Sequence, residues 1–161
     1  MKNELSRGNE VYSDDVFQVL MEYEISRSVR YPSPLALLHI EMTPAAGQEE
    51  ATLREAPKIF TAALNTHLRS VDIPSGAGRE YKVLLPAANE IGVRTVCERL
   101  ISVFRNKFTT PSGNSIAFSL NIGAAAHAGG ETLTGQVLLA KAQNALKQAK
   151  LKGPNTFVLL P

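Results

Sequence analysis

The sequence has no tryptophan and only one cysteine, and its aromatic residues make up 6% of the 161 residues. A single cysteine excludes a disulfide within one chain. Cys97 lies on the apolar side of a helical pattern, where a buried thiol is the expected state rather than a nucleophile. The three histidines, His39, His67 and His127, have no metal-ligand spacing. His39 lies in an apolar run and is expected to be a core residue. The sequence therefore predicts neither a disulfide framework nor a zinc site.

A strong charge of either sign and a long apolar run are also missing. The formal net charge is +2, too small to predict nucleic acid or an anionic membrane as a partner. No apolar run approaches the roughly 20 residues that span a bilayer, and residues 1–6 lack the apolar core of a signal peptide. We expect a cytoplasmic protein with no membrane span. Its length predicts one domain, residues 13–161, after a flexible N-terminal segment, residues 1–12.

Hydrophobic periodicity divides the chain into alternating helical and extended segments. The predicted helices cover about 13–29, 53–69, 89–108 and 134–152, and the predicted strands about 35–42, 80–85, 116–122 and 156–160, with hairpin-turn composition at 73–78. Ser13 and Asn89 are predicted helix caps. Pro57 is expected in the first turn of its helix, where proline is tolerated. The expected buried side of the first helix carries Val16, Leu20, Tyr23 and Ile25. This order of elements predicts an α/β sandwich with helices packed on a central sheet.

Several short motifs are specific as a set because of their order and spacing. Ala77-Gly78-Arg79-Glu80-Tyr81 precedes the apolar run 83–86, and Arg69-Ser70-Val71-Asp72 stands just upstream. Cys97-Glu98-Arg99-Leu100 and the segment 144–150 follow. Over residues 15–158 the chain resembles the GGDEF family, the diguanylate cyclases that condense two GTP molecules into cyclic di-GMP. The resemblance implies that family's nucleotidyl-cyclase-like α+β sandwich, with a mostly antiparallel central sheet of about five strands flanked by helices.

Measured against the family pattern, the catalytic signature is degenerate. Ala77 replaces the first glycine, and Arg79 replaces an acid at a position where a cation cannot bind magnesium. Glu41 falls at the family's first metal aspartate, but it and Glu80 are typical of surface carboxylates, with Glu80 in an ion pair to the neighbouring arginine. Lys150 is retained at a phosphate-contacting position of the family. We therefore predict no cyclase activity, no bound metal and no cofactor.

The regulatory motif of the family is better preserved. Arg69 and Asp72 stand where the resemblance implies an Arg-x-x-Asp site for cyclic di-GMP, and Arg99 where some members add a second arginine. A guanidinium can stack on a purine or donate to guanine O6 and N7, and an aspartate can accept from the opposite edge of the base. The alternative is a helix-terminal ion pair between Arg69 and Asp72, with Arg99 a solvated charge. We favour a cyclic di-GMP receptor that acts on a partner protein or an adjoining domain.

Two other functions stay open at this point. The first is a pseudoenzyme scaffold that binds only protein partners. The second is a residual GTP-binding regulator that uses Glu41 and Glu80 with magnesium. The sequence leaves the identity of the partner open. The resemblance makes a ligand-induced dimer a reasonable expectation, because the family often binds cyclic di-GMP as an intercalated pair that bridges two surfaces.

Overall fold

The structure is a computed structural model that describes residues 10–161. Its helices and strands alternate along the chain in nearly the predicted order. They are α1 (Asp14–Arg30), β1 (Leu35–Pro44), α2 (Glu50–Thr66), β2 (Ile73–Ala77), β3 (Glu80–Pro86), α3 (Glu90–Phe104), β4 (Phe108–Thr109), β5 (Ser115–Ile116), β6 (Phe118–His127), α4 (Gly135–Lys152) and β7 (Thr156–Leu160). The predicted caps are confirmed, because the side chains of Ser13 and Asn89 accept from the backbone N–H groups of Val16 and Gly92.

One mixed sheet organises the domain. Its strand order is β2-β3-β1-β6-β7, so β1 is the central strand. The pairs β2–β3, β3–β1 and β1–β6 are antiparallel, and β6–β7 is parallel. The strands β4 and β5 form a separate two-stranded ribbon. The predicted α+β sandwich with a mostly antiparallel five-stranded sheet is confirmed.

Helices cover both faces of this sheet. Alternate residues of β1 point to opposite faces. Ala36, Leu38 and Ile40 join the larger core, together with side chains of α2 and α3, whereas Leu35 and Leu37 join a second core with α1 and α4. The second face becomes polar toward the end of β1, where the alternation places residues 39 and 41. This polar end of the central strand belongs to one of the two candidate sites.

The prediction for the buried side of α1 is confirmed for Leu20 and Ile25, which pack against the second core, and is wrong for Val16 and Tyr23. Phe17 and Met21 are the large buried residues of this helix, whereas Val16 is 44% exposed and Tyr23 is 66% exposed. The prediction for Val16 and Tyr23 failed because apolar residues occupy both sides of α1. Periodicity alone does not tell which side a neighbouring sheet will cover.

Several element boundaries also differ from the prediction; β6, for example, extends to His127 rather than to about residue 122. Helix α2 begins at Glu50, so Pro57 lies inside the helix rather than in its first turn. Proline in a helix interior removes one i→i−4 hydrogen bond, and burial of Ala56, Phe60 and Leu64 on the same helix offsets that cost. Helix α3 ends at Phe104 rather than near residue 108, because Phe108 and Thr109 enter the β4–β5 ribbon.

The N-terminal segment predicted to be flexible, residues 1–12, lies largely outside the described residues. At its end, the Tyr12 backbone N–H donates to the Pro74 carbonyl, and the Ser75 hydroxyl donates to the Tyr12 carbonyl. Residue 12 is therefore bonded to β2 at the edge of the sheet. In the part of the chain that the structure describes, no helix is long and apolar enough to cross a membrane.

Cys97 is fully buried in α3, as predicted. Burial raises the pKa of its thiol to about 12. Because the thiolate is the reactive species, we expect no alkylation of the native protein by iodoacetamide at pH 8. One thiol per chain should react in denaturant, as counted by mass spectrometry. Native labelling at the rate of free glutathione in the same tube would contradict this burial.

Candidate functional site

The loop after α2 holds the first candidate site, the Arg69–Asp72 pair. Asp72 Oδ1 accepts hydrogen bonds from Arg69 Nε at 3.1 Å and from Arg69 Nη2 at 2.7 Å. Asp72 Oδ2 accepts from the Arg69 backbone N–H at 2.7 Å. Arg69 Nη2 also donates to the carbonyl of Pro86, at the end of β3, at 2.8 Å. These contacts from two segments of the chain fix the plane of the guanidinium group.

The two members of this pair differ in exposure. The Asp72 side chain is 1% exposed, whereas the Arg69 side chain is 46% exposed. Asp72 is therefore the buried acceptor of the pair, and Arg69 is the member that is exposed to solvent. The helix-terminal ion pair considered from the sequence is present in this geometry. A direct contact between Asp72 and a ligand would require the carboxylate to become exposed.

Arg99 of α3 reaches the same loop. Its Nη2 donates to the backbone carbonyl of His67 at 3.0 Å, where α2 ends. A cation at this position also interacts favourably with the negative end of the helix dipole. The structure thus places Arg99 beside the segment 67–72, which carries Arg69 and Asp72.

The β2–β3 hairpin carries the degenerate signature. Ala77 pairs with Glu80, so Gly78 and Arg79 form a two-residue turn, with Gly78 at φ +62°. The Tyr81 hydroxyl donates to the Gly78 carbonyl at 2.9 Å, and the Tyr81 ring is buried in the larger core. Burial raises the pKa of Tyr81 to about 12, so this hydroxyl stays protonated at neutral pH. The turn is exposed, but its base is fixed to the core.

Two carboxylates and one ammonium group meet where β1 and β3 pair. Glu41 lies directly opposite Glu80, so their side chains share one face of the sheet. Lys150 Nζ, from α4, donates to Glu41 Oε2 at 2.9 Å. This hydrogen bond and the charge of Glu41 raise the pKa of Lys150, and the charge of Glu80 contributes to the same shift. In residues 10–161 no ion pair joins Glu80 to Arg79, so that sequence-based prediction is wrong.

The resemblance implies a divalent metal at this place, and the residues do not fit one. A hard cation needs several carboxylate or carbonyl oxygens. Glu41 is already bonded to Lys150, and Arg79 adds a positive charge in the adjoining turn. Across the described residues, no group of three or more acidic, histidine or cysteine side chains is placed to hold a metal. The arrangement is an ion pair beside a second carboxylate.

A cleft of about 460 Å³ lies between the start of α1 and the strands β1, β2 and β3. His39 lines this cleft opposite Lys82, and Ser75 stands opposite Lys82 on the other side. Burial is the main cause that lowers the pKa of His39, and the positive charge of Lys82 lowers it further. The negative charges of Glu80 and Glu41 act in the opposite direction. The prediction that His39 is a core residue is wrong, because its side chain is only partly buried and lines the cleft. Its alternation with Leu35 and Leu37 is the signal for its face, but the sequence does not reveal the cleft.

Comparison with solved structures identifies the fold. The GGDEF domain of YfiN from Pseudomonas aeruginosa is 20% identical, with a TM-score of 0.77 over 95% of this chain and 92% of that chain. The GGDEF domain of DgcB from Caulobacter crescentus, in complex with c-di-GMP, is 13% identical, with a TM-score of 0.76 over 93% and 89%. The GGDEF domain of FimX from Pseudomonas aeruginosa is 16% identical, with a TM-score of 0.74 over 91% and 93%.

At these identities the likeness concerns the fold alone. No protein-family model and no curated protein matches the sequence. The chain has the GGDEF domain fold, and the motif resemblance and the fold agree.

Proposed function

We propose that this chain, which has the GGDEF domain fold, is a catalytically inactive receptor for cyclic di-GMP. Arg69 and Arg99 bind the ligand, and Asp72 completes the site by orienting Arg69. The observation that carries the proposal is the fixed guanidinium of Arg69, bonded to buried Asp72 and to the Pro86 carbonyl while its side chain stays about half exposed. Such a group is pre-organised for a flat ligand and loses little rotamer freedom on binding.

The chemistry of cyclic di-GMP suits this arrangement. Each guanine offers a flat face for stacking on a guanidinium. Because Nε and Nη2 of Arg69 donate to Asp72 and Pro86, stacking on the face of the guanidinium is the contact that this geometry supports. The two phosphates of the ligand are anionic and favour a second cation nearby. Arg99 supplies that cation, because its contact with the His67 carbonyl places it beside the loop that carries Arg69. The solved complex of the DgcB GGDEF domain with c-di-GMP supports the ligand class.

We expect no cyclic di-GMP to form when the purified chain is incubated with GTP and magnesium. The reason is electrostatic, because a phosphoryl transfer needs metal ions to neutralise the developing charge. Here Arg79 occupies an acidic position of the signature, and Glu41 is bonded to Lys150. Chromatography of the reaction against an active diguanylate cyclase as positive control is the measurement. Turnover above a boiled-protein blank would overturn the prediction.

Binding is tested by isothermal titration calorimetry of cyclic di-GMP into the purified chain, with GTP plus magnesium as the comparison ligand. The proposal predicts micromolar or tighter binding of the dinucleotide and no binding of GTP. The stoichiometry also tests the expected ligand-induced dimer, since an intercalated pair requires two ligands per site. Heat from GTP alone would favour the residual GTP-binding regulator. No heat from either ligand at two temperatures would favour the protein-binding scaffold.

A further inference from the structure

We infer that the Lys150 ammonium group takes the place of a divalent cation at the Glu41–Glu80 pair, as a counter-cation supplied by the chain itself. The inference concerns the face of the sheet that carries Glu41 and Glu80 beside the degenerate signature, here called the signature face. It is independent of cyclic di-GMP binding at Arg69. It starts from the disagreement between the metal that the resemblance implies and the residues that stand at this position.

The register creates the need for a cation. Glu41 on β1 and Glu80 on β3 are direct cross-strand neighbours. Directly opposed side chains on one face have Cβ atoms roughly 5 Å apart, and two like charges there are destabilising. Asn121, opposite Glu41 on β6, is uncharged, and its side-chain amide donates to the Ala149 and Gly153 carbonyls.

Lys150 supplies the missing charge from a distant part of the chain. Its Nζ lies 2.9 Å from Glu41 Oε2, across a sequence separation of 109 residues. The charge of Glu80 also favours the protonated form of Lys150, as the smallest of the causes that raise its pKa, whereas the ion pair that Lys150 forms among the described residues is with Glu41. The side chains of Lys150 and Glu41 are 48% and 23% exposed, so solvent screens the pair in part. The contact ties α4 to the end of β1 without a metal.

One consequence is that the effect of Glu80→Gln on Tm should differ in sign between the wild type and Lys150→Met. An ion pair between Lys150 and Glu41 alone would not produce this difference. In the wild type, Glu80→Gln removes a charge that Lys150 attracts, so Tm should stay unchanged or fall. In Lys150→Met, the same substitution relieves repulsion between two uncompensated carboxylates. There Tm should rise by about 2–4 °C.

A second consequence is that removing the ammonium group should create metal affinity. The experiment is thermal unfolding of the full chain with and without millimolar MnCl2, for the wild type, Lys150→Met and the control Lys147→Met, an exposed lysine of the same helix. We expect Mn²⁺ to raise the Tm of Lys150→Met by about 2–4 °C, and to leave the other two unchanged. The double variant Lys150→Met/Glu80→Gln should lose the response.

Two outcomes would overturn the inference. One is the same Mn²⁺ response, or the same lack of it, in the wild type and Lys150→Met. The other is a Glu80→Gln effect of the same sign in both backgrounds. Cyclic di-GMP binding by Lys150→Met serves as a separate readout, and it should equal that of the wild type. If neither the wild type nor any variant binds cyclic di-GMP, this result counts against the proposed receptor function and not against the role of Lys150.

Discussion

Replacing Arg69 with alanine is expected to weaken cyclic di-GMP binding by about 100-fold or more. This corresponds to roughly 2.7 kcal/mol, within the range measured when one partner of a hydrogen-bonded charge contact is removed. Arg69→Lys keeps the charge but loses the planar fork, so it should recover only part of the affinity. The measurement is the Kd from titration calorimetry. Arg105→Ala, at an exposed arginine at the end of α3, is the control and should bind like the wild type.

The buried partner of Arg69 complicates a single substitution. Arg69→Ala removes two of the hydrogen bonds that stabilise the Asp72 carboxylate, which is 1% exposed. Removing hydrogen bonds from a buried charge is destabilising, so Tm should fall together with affinity. The double variant Arg69→Ala/Asp72→Asn removes the buried charge as well, and we expect it to recover stability without recovering binding. Recovery of both would show that Arg69 acts on the fold and not on the ligand.

A large loss of stability is expected from Gly123→Ala. Gly123 lies in β6 between β1 and β7, and α4 crosses directly over it. A Cβ at this position would lie 2.6 Å from the Leu146 Cα, and closer still to the Leu146 nitrogen and the Ala142 carbonyl oxygen. These are backbone atoms of one helix, so no single side chain can move aside. We expect a loss of about 3 kcal/mol, at the upper end of overpacking effects.

For a domain of this size that loss corresponds to a Tm lower by about 6–12 °C, measured by thermal unfolding. The matched control is Gly92→Ala in the first turn of α3, where the added Cβ would lie 3.5 Å from Asn89 Oδ1, an ordinary contact. Because glycine costs about 0.5–1 kcal/mol relative to alanine inside a helix, this control should be neutral or slightly more stable. A Gly123→Ala variant that melts with the wild type would contradict the close packing of α4 on β6.

Local signals in the sequence predicted most of the fold. Ser13 and Asn89 predicted the starts of two helices, because short polar side chains cap helices by accepting backbone hydrogen bonds. Both hydrogen bonds are present. The nearly continuous apolar run at 35–42 predicted a central strand covered on both faces, which is β1 at the centre of the sheet. These predictions succeeded because each depends on residues close together in the chain.

The failures concern tertiary context. Pro57 is tolerated inside α2 because the helix is anchored by side chains such as Phe60, whose ring packs against three aromatic rings of other elements. The outward position of Tyr23 depends on how α1 lies on the sheet, which its own periodicity does not fix. Short strands such as β4 and β5, with two residues each, carry too little periodic signal to be detected.

In the candidate sites, too, contacts between residues close in the sequence were predictable and contacts that depend on the tertiary structure were not. Arg69 and Asp72 are three residues apart, so their proximity could be predicted from spacing. That Asp72 is only 1% exposed, and that Arg69 also donates to the Pro86 carbonyl 17 residues further on, could not be predicted from spacing. The contact between Glu41 and Lys150 depends on strand register and on the position of α4. The sequence identified both residues as family positions without revealing that they bind each other.

The measurement that tests the receptor proposal most directly is a titration of ¹⁵N-labelled protein with cyclic di-GMP, followed by NMR of backbone amides and arginine Nε–H groups. The proposal predicts shifts at the Arg69 and Arg99 Nε–H groups and along the backbone of residues 67–72, with the hairpin turn at Gly78 and Arg79 unchanged. Shifts centred on that turn and on Glu41, with residues 67–72 unaffected, would place the ligand on the signature face and contradict the account.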